Sequence, residues 1–337
     1  MTRAGKKNPI HRLSLVAYDG MQALDLTGPH EVFASANRVA DGLGRPGLRY
    51  EPTVVGPAGT AVTTESGLRL VADPPPRSTG RIDTVLIPGG DSAPTLADDH
   101  PVVRWVAEAG KAAPRLACVC TGTFVAARAG LLDGRRVTTH WARADRLAHR
   151  YPEIEVERDA IYIEDRLIAD RPVWTSAGVT AGIDLALAMV EADLGTEVAQ
   201  EVARWLVVFL RRPGGQTQFA PTVWSTRSEQ GPIRQAQEII DLDPAAVRSI
   251  AELAAAVGLS ARHFARRFQA EIGVSPARYL EQIRVTAARQ HLETSDDGLA
   301  VIADRCGFGT AETLRRVFHR RLNVSPDDYR KRFALAR

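Results

Sequence analysis

The feature that most constrains the fold of this chain is a repeat near its C-terminus. The stretch LSARHFARRFQAEIGVSPARYL (259–280) returns as FGTAETLRRVFHRRLNVSPDDYR (308–330), with matching residues fifty positions apart. Apolar pairs such as Phe264 and Phe268 are spaced four residues apart, which places both members on one face of a helix. The repeat therefore predicts two copies of one helical unit.

Each copy has the organisation of a helix-turn-helix unit, in which a glycine-containing turn separates two helices. The predicted helices span about 249–257 and 261–271 in the first copy, about 299–306 and 311–322 in the second, and about 277–293 between them. A helical bundle with arginines on its surface is the alternative interpretation, and the presence of two such units in tandem disfavours it.

Polar and basic side chains are predicted to project outward from the second helix of each copy. From residue 233 onward the chain has 17 Arg and Lys against 13 Asp and Glu, so its positive excess lies in this part. A recognition helix needs an apolar back and a donor-rich front. The expected DNA contacts are Arg262, His263, Arg266 and Arg267 in the first copy, and Thr313, Arg315 and Arg316 in the second.

These features resemble the DNA-binding domain of the AraC family over about 105 residues, including the endings GVSPARYL and NVSPDDYR. The resemblance implies that two recognition helices enter successive major grooves on one face of double-stranded promoter or operator DNA. It also implies a function in transcription regulation.

The first 200 residues alternate between short apolar runs and helical patterns, which predicts a mostly parallel sheet with helices on both faces. The predicted strands are 13–18, 50–56, 83–90, 114–120 and 172–178, and the predicted helices are 29–40, 101–112, 121–132 and 182–195. We expect a flavodoxin-like, doubly wound α/β domain over 1–210, a linker over 211–232 and an all-α domain over 233–337. Ligands of such sheets bind beyond the carboxyl ends of the strands.

Cys120 stands at the turn between a predicted strand and a predicted helix, within LACVCTGTFVAARAGLLDG. At such a turn a side chain is expected to be exposed, close to backbone N–H groups that stabilise a thiolate and lower its pKa. Asp25 is the carboxylate expected to accompany it. Two interpretations remain open, a catalytic nucleophile and a pocket used for sensing.

The segments MQALDLTGPHEVF, LIPGG, VCTGTFVAARAGLLDGRRVTTHW and TSAGVTAGIDLAL together resemble the ThiJ/PfpI superfamily, which is related to class I glutamine amidotransferase domains. LDLTGP with VCTG is similar to isocyanide hydratases, which implies that Asp25, Cys120 and Thr121 form a site bordered by Gly89 and Gly90. His140 is a further pocket residue and a candidate acid–base partner. Thr121 stands where protease-like members carry a histidine, which disfavours proteolysis.

The order of the two parts resembles AraC-type regulators with a ThiJ/PfpI sensor domain. We expect a cytoplasmic homodimer that binds DNA and a small-molecule effector, without a metal, a cofactor or a membrane segment. A cysteine-dependent, hydratase-like enzyme and a redox sensor based on Cys120 are the alternatives.

Overall fold

The computed structural model describes residues 9–45, 47–76, 82–166, 171–210, 215–216, 228 and 231–334. The chain divides into two compact units, Met1–Arg212 and Pro213–Arg337. Most of the linker predicted over 211–232 lies outside the described residues. None of the described helices is long and apolar enough to cross a membrane.

The first unit is built on a six-stranded sheet of order β2-β1-β5-β6-β10-β9. Its strands are β1 (Ile10–Val16), β2 (Arg49–Val55), β5 (Thr84–Ile87), β6 (Arg115–Val119), β9 (Tyr162–Asp165) and β10 (Val173–Ser176). All neighbours pair in parallel except β9, which is antiparallel to β10. The five parallel strands follow the 2-1-3-4-5 order of flavodoxin-like folds, which confirms the predicted fold class.

Around this sheet the described residues form six α-helices and two small sheets. The helices are α1 (Ala23–Gly42), α2 (Pro101–Ala112), α3 (Gly122–Arg128), α4 (Ala144–Arg150), α5 (Ala181–Leu194) and α6 (Thr196–Trp205). The small sheets pair β3 (Ala61–Thr63) with β4 (Arg69–Val71), and β7 (Arg136–Val137) with β8 (Glu155–Val156). Helices α1, α5 and α6 pack together, and α2 packs against α3.

Helix α1 begins at Ala23, six residues before the predicted start at 29. The prediction placed Pro29 at the first helical turn, where proline is favoured. Proline is instead inside the helix, where it removes one backbone donor. The Gln22 side chain accepts from the Leu24 N–H and caps the true start. This correction matters for the site because it places Asp25 in the first turn of α1.

A buried polar network joins the strands near the amino end of the sheet. The Arg115 guanidinium donates to both Asp193 carboxylate oxygens, at 3.0 and 2.9 Å, and to the Thr84 hydroxyl at 2.8 Å. Asp193 also accepts from the Tyr50 hydroxyl at 2.7 Å. His11 Nε2 lies 2.8 Å from the Thr84 hydroxyl, and burial lowers the pKa of His11. The network thus satisfies a charged group that would otherwise be costly to bury.

The second unit is helical throughout its described residues. Its helices are α7 (Pro232–Leu242), α8 (Ile250–Ala256), α9 (Ala261–Ile272), α10 (Pro276–Thr294), α11 (Leu299–Arg305), α12 (Ala311–Leu322) and α13 (Pro326–Phe333). All five helices predicted from the repeat, α8 to α12, agree with the structure within one residue at each end.

The SP-x-x-Y endings have a clear structural role. In the first copy the Ser275 hydroxyl caps α10 by accepting from the Arg278 N–H, and Pro276 occupies the first helical position. Tyr279 then packs edge-on against Phe268, with ring centroids 5.4 Å apart. Tyr329 packs in the same way against Phe318 at 5.4 Å. Each ending therefore starts the following helix and closes one apolar core.

Candidate ligand pocket and nucleic-acid interface

Cys120 forms a tight elbow between β6 and α3. Its φ of 58° lies in the left-handed region, which a side chain other than glycine rarely adopts. The cysteine N–H donates to the Ser176 carbonyl at 3.0 Å, and its carbonyl accepts from the Thr139 hydroxyl at 2.7 Å. Bonds on both sides hold the elbow in place, so its backbone strain is supported by neighbouring strands and loops.

The Asp25 carboxylate accepts two backbone hydrogen bonds. Oδ2 accepts from the Gly89 N–H at 2.9 Å, and Oδ1 accepts from the Val179 N–H at 2.7 Å. The neighbouring Cys120 thiol also lowers the pKa of Asp25. These bonds favour the ionised carboxylate, but burial outweighs them and raises the pKa of Asp25 to about 7.

Cys120 is enclosed rather than exposed, with 7% of its surface accessible. A Cβ added at Gly178 would lie 2.2 Å from the Cys120 Cβ, and one at Gly89 would lie 2.7 Å from it. Burial and the nearby Asp25 raise the pKa of Cys120 well above its ordinary value, although the Thr121 N–H acts in the opposite direction. The expectation of an exposed thiolate is wrong, because burial outweighs the backbone donor.

Thr121 and Gly90 are joined by two hydrogen bonds. The Thr121 hydroxyl accepts from the Gly90 N–H and donates to the Gly90 carbonyl, each at 2.8 Å. The backbone around Gly90 is close-packed, since a Cβ there would lie 2.4 Å from the Gly20 carbonyl oxygen. The structure therefore brings together Asp25, Gly89, Gly90, Cys120 and Thr121.

His140 is attached to this site through its neighbour in the chain rather than through its ring. Thr139 bonds the Cys120 carbonyl, whereas His140 Nδ1 accepts from the Ala142 N–H at 3.3 Å and caps a short 3-10 turn. Burial lowers the pKa of His140, with a smaller contribution from Arg143. The ring lies beside Trp141, with centroids 5.0 Å apart.

Sequence reasoning missed three contributors to the site. Val179, at φ 52°, supplies one of the two backbone donors to Asp25, and Gly178 packs against the cysteine. The Tyr18 hydroxyl donates to the Pro88 carbonyl at 2.6 Å and supports the loop that carries Gly89. Val179 and Gly178 could have been predicted from their position just after β10, because ligand sites form where the carboxyl ends of parallel strands meet.

The two predicted recognition helices, α9 and α12, have an apolar back and an exposed polar front. In α9, Phe264 and Phe268 are fully buried, and Arg262, His263 and Arg266 are exposed. Arg267 is half-buried and donates from Nε to Glu271 at 2.6 Å. Glu271 also accepts from the Ser228 hydroxyl at 2.6 Å, so Arg267 is part of a local network.

Helix α12 presents Arg315 and Arg316 to solvent and buries Leu314 and Phe318. Arg315 lies 3.9 Å from the Glu312 carboxylate. Thr313 is half-buried, and its hydroxyl lies 2.9 Å from that of Thr310, which caps the helix. The first half of the helix thus offers Arg315, Arg316 and the Glu312 carboxylate to solvent.

Within the described ranges, no group of three or more His, Cys, Asp or Glu side chains is arranged to hold a metal ion. The three cysteines, Cys118, Cys120 and Cys306, are free thiols and all buried.

Comparisons with known proteins agree with both halves of this description. A model of the DJ-1/PfpI family matches residues 11–192, and a model of a helix-turn-helix domain matches residues 253–332. The HTH-type transcriptional regulator Rv1931c of Mycobacterium tuberculosis is 36% identical over 75% of this chain and 96% of its own length.

Two further relatives match the first unit. The isonitrile hydratase of Pseudomonas putida is 32% identical over 57% of this chain and 75% of its own length. The crystal structure of a ThiJ/PfpI family protein from Pseudomonas syringae is 27% identical, has a TM-score of 0.50, and covers 63% of this chain and 84% of its own. Because the family match extends over more than half of its length, the chain belongs to the DJ-1/PfpI family, and it carries a helix-turn-helix domain in addition.

Proposed function

We propose that this protein is a sequence-specific transcriptional regulator that binds double-stranded operator DNA through its second unit. The observation that carries the proposal is the pair of capped helices, α9 and α12, each with a buried apolar back and exposed arginines. Arginine suits this task because its planar guanidinium donates two hydrogen bonds to guanine or phosphate. The relative from Mycobacterium tuberculosis, named as an HTH-type transcriptional regulator, supports the same function.

The proposed functions belong to successive parts of the chain. Residues 1–210 form a sensor domain, 211–232 a linker and 233–337 the DNA-binding domain, and the protein acts in the cytoplasm as a homodimer. Arg262, His263, Arg266, Arg267, Thr313, Arg315 and Arg316 are the proposed DNA contacts. Among them, Arg267 has the least freedom to reach DNA because Glu271 already binds its guanidinium.

The proposed effector site comprises Asp25, Gly89, Gly90, Cys120, Thr121 and His140. A small molecule that reaches Asp25 must compete with the Val179 and Gly89 N–H groups for the carboxylate. Such competition would move the turn after β10 or the loop after β5. DNA affinity then changes only by the difference in effector affinity between the two conformations.

A cysteine-dependent hydratase is the second candidate function, and the Asp25–Cys120 pair favours it. With a pKa of about 7, Asp25 is able to accept a proton at neutral pH. The relative named isonitrile hydratase supports this candidate. Against it, the Cys120 thiol holds its proton strongly in the resting site, and a thiol is a much weaker nucleophile than a thiolate.

Selection of binding sites from random duplexes tests the regulator. We expect the purified full-length protein to enrich one sequence family that also competes against random DNA. In parallel, incubation with a small alkyl isonitrile tests the enzyme. If the wild type hydrates the isonitrile and Cys120→Ser does not, the first unit is better described as a hydratase. If the wild type does not hydrate it, sensing remains the proposed role.

A further inference from the structure

The two recognition helices carry opposite charges at one equivalent position. The fifty-residue repeat aligns α9 with α12 and pairs Arg262 with Glu312. Each is the second residue of its helix, after Ala261 in α9 and Ala311 in α12. Both side chains are exposed, and Glu312 is 84% accessible. The difference therefore lies on the side of the helix that faces away from the core, where sequence is read.

The position of Glu312 in its helix is important because the first residues of a recognition helix contact base edges. A carboxylate at this place is repelled by the phosphates on both sides of the groove, so it lowers affinity for most sequences. Cytosine is the base that offsets this repulsion best, since its N4 amino group is a donor in the major groove. Adenine also offers a donor, but its neighbouring N7 is an acceptor that repels a carboxylate.

Arg315 supports this interpretation. It lies one turn after Glu312 on the same exposed stripe, with its guanidinium 3.9 Å from the carboxylate. The equivalent residue in the first copy is Ala265, so α9 has no corresponding arginine. Arg315 therefore lies beside Glu312 on the exposed face, and its guanidinium donors suit a guanine next to the cytosine.

The first copy has a basic residue, Arg262, at the position equivalent to Glu312. The amino end of a helix carries a partial positive charge, so a basic residue there is electrostatically unfavourable. Arg262 occupies the first turn of α9, which has no acidic residue. Its donors suit the O6 and N7 acceptors of guanine.

We propose that Glu312 is a specificity residue that selects cytosine in the second half of the DNA site, whereas Arg262 selects guanine at the equivalent place in the first half. The inference rests on the proposed DNA-binding function. It follows that one chain recognises two different sequence blocks in a fixed order. The two helices do not bind two copies of the same sequence.

Binding-site selection with the full-length protein tests the inference through base frequencies at each position. The variants are Glu312→Gln, which removes the charge at nearly constant size, and Glu312→Arg, which copies the first helix. Glu252→Gln is the matched control, because Glu252 is an exposed acid in the first turn of α8 and lies outside both recognition helices. Thermal unfolding of each variant shows whether the substitution destabilises the helix. A change in base preference without a change in unfolding temperature then reflects DNA recognition.

We expect wild-type protein to select cytosine at one position of the second block. Glu312→Gln should reduce discrimination there by roughly 5- to 150-fold, the equivalent of one good base contact, and should bind random DNA more tightly. Glu312→Arg should favour guanine at the same position, and the Glu252→Gln control should change neither block.

The failures are distinguishable. If the wild type enriches no sequence, the proposed function is wrong and the inference falls with it. If the wild type enriches two blocks and Glu312→Gln retains every base frequency, DNA binding stands and the role of Glu312 is refuted. Since Glu312 is almost fully exposed, Glu312→Gln decides the matter even if Glu312→Arg does not fold.

Discussion

Gly178 packs directly against Cys120, so closely that a Cβ at position 178 would lie 2.2 Å from the Cys120 Cβ. No side chain fits there unless the cysteine or its supporting backbone moves. The glycine also has φ +100°, a conformation that other residues rarely adopt. Together these features explain why the thiol is enclosed.

Gly178→Ala should therefore destabilise the first unit more than a left-handed glycine elsewhere does. Gly130→Ala is the control, because Gly130 has φ +68° and no atom within 4 Å of an added Cβ. We expect the control to lose about 1–2 kcal/mol from backbone strain and Gly178→Ala to lose about 1–3 kcal/mol more from overpacking. Equal losses in denaturant unfolding would show that Cys120 moves aside without cost.

Asp25→Asn should change how stability depends on pH. Burial raises the folded-state pKa of Asp25 from an ordinary 3.8 to about 7, so the folded protein binds more protons than the unfolded chain between those values. Wild-type stability then includes a contribution that is lost as pH rises through this window. The unfolding free energy of Asp25→Asn, relative to wild type, should rise by about 3 kcal/mol between pH 4 and 7.

Denaturant unfolding at several pH values measures this difference directly. Asp99→Asn serves as the control, since Asp99 is an exposed carboxylate. A difference between Asp25→Asn and wild type that stays constant from pH 4 to 8 would contradict the raised pKa.

Cys120→Ser tests whether the proposed effector site and the proposed DNA-binding surface have separate roles. The hydroxyl replaces a thiol that is protonated in the resting site, so folding and DNA binding without effector should be unchanged. Only the response to small molecules should be lost. Cys118→Ser is the control, because Cys118 is fully buried in β6 and two residues away. Loss of DNA binding by effector-free Cys120→Ser alone would mean that the pocket is required for the DNA-bound conformation.

Arg262→Ala should weaken binding to the selected sequence by about 1–3 kcal/mol, as expected for a bidentate base contact. Arg234→Ala is a suitable control, because Arg234 lies on α7 and pairs with Glu238 at 2.8 Å. Competition between selected and random duplexes gives the discrimination for each variant. Unchanged discrimination in Arg262→Ala would remove this residue from those that read bases.

The parallel strands and the two helix-turn-helix units could be predicted because local signals were strong. Apolar runs ending in glycine marked β2, β5 and β10, and the repeat marked the helices from α8 to α12. The short strands β7 and β8 were missed because two residues carry no periodic signal. The start of α1 was wrong because Pro29 is typical of a helix beginning.

The residues of the candidate site could be predicted from the sequence, but their burial and pKa shifts could not. The positions of Asp25 and Cys120 after predicted strands placed both at one edge of the sheet. Whether Cys120 is exposed depends on Gly89 and Gly178, which come from other strands and approach within van der Waals distance. This packing decides whether burial or the backbone donors at the helix N-terminus control the pKa of Cys120. Contacts between distant parts of the chain cannot be read from the order of residues in the sequence.

The most direct test of DNA recognition is fluorescence anisotropy of the full-length protein on a labelled duplex carrying the selected sequence. It should be run at two salt concentrations with excess random DNA as competitor. We predict tight binding that weakens with salt, as phosphate contacts require, yet survives the competitor. Binding that the competitor removes equally at both salt concentrations would contradict sequence-specific recognition by α9 and α12.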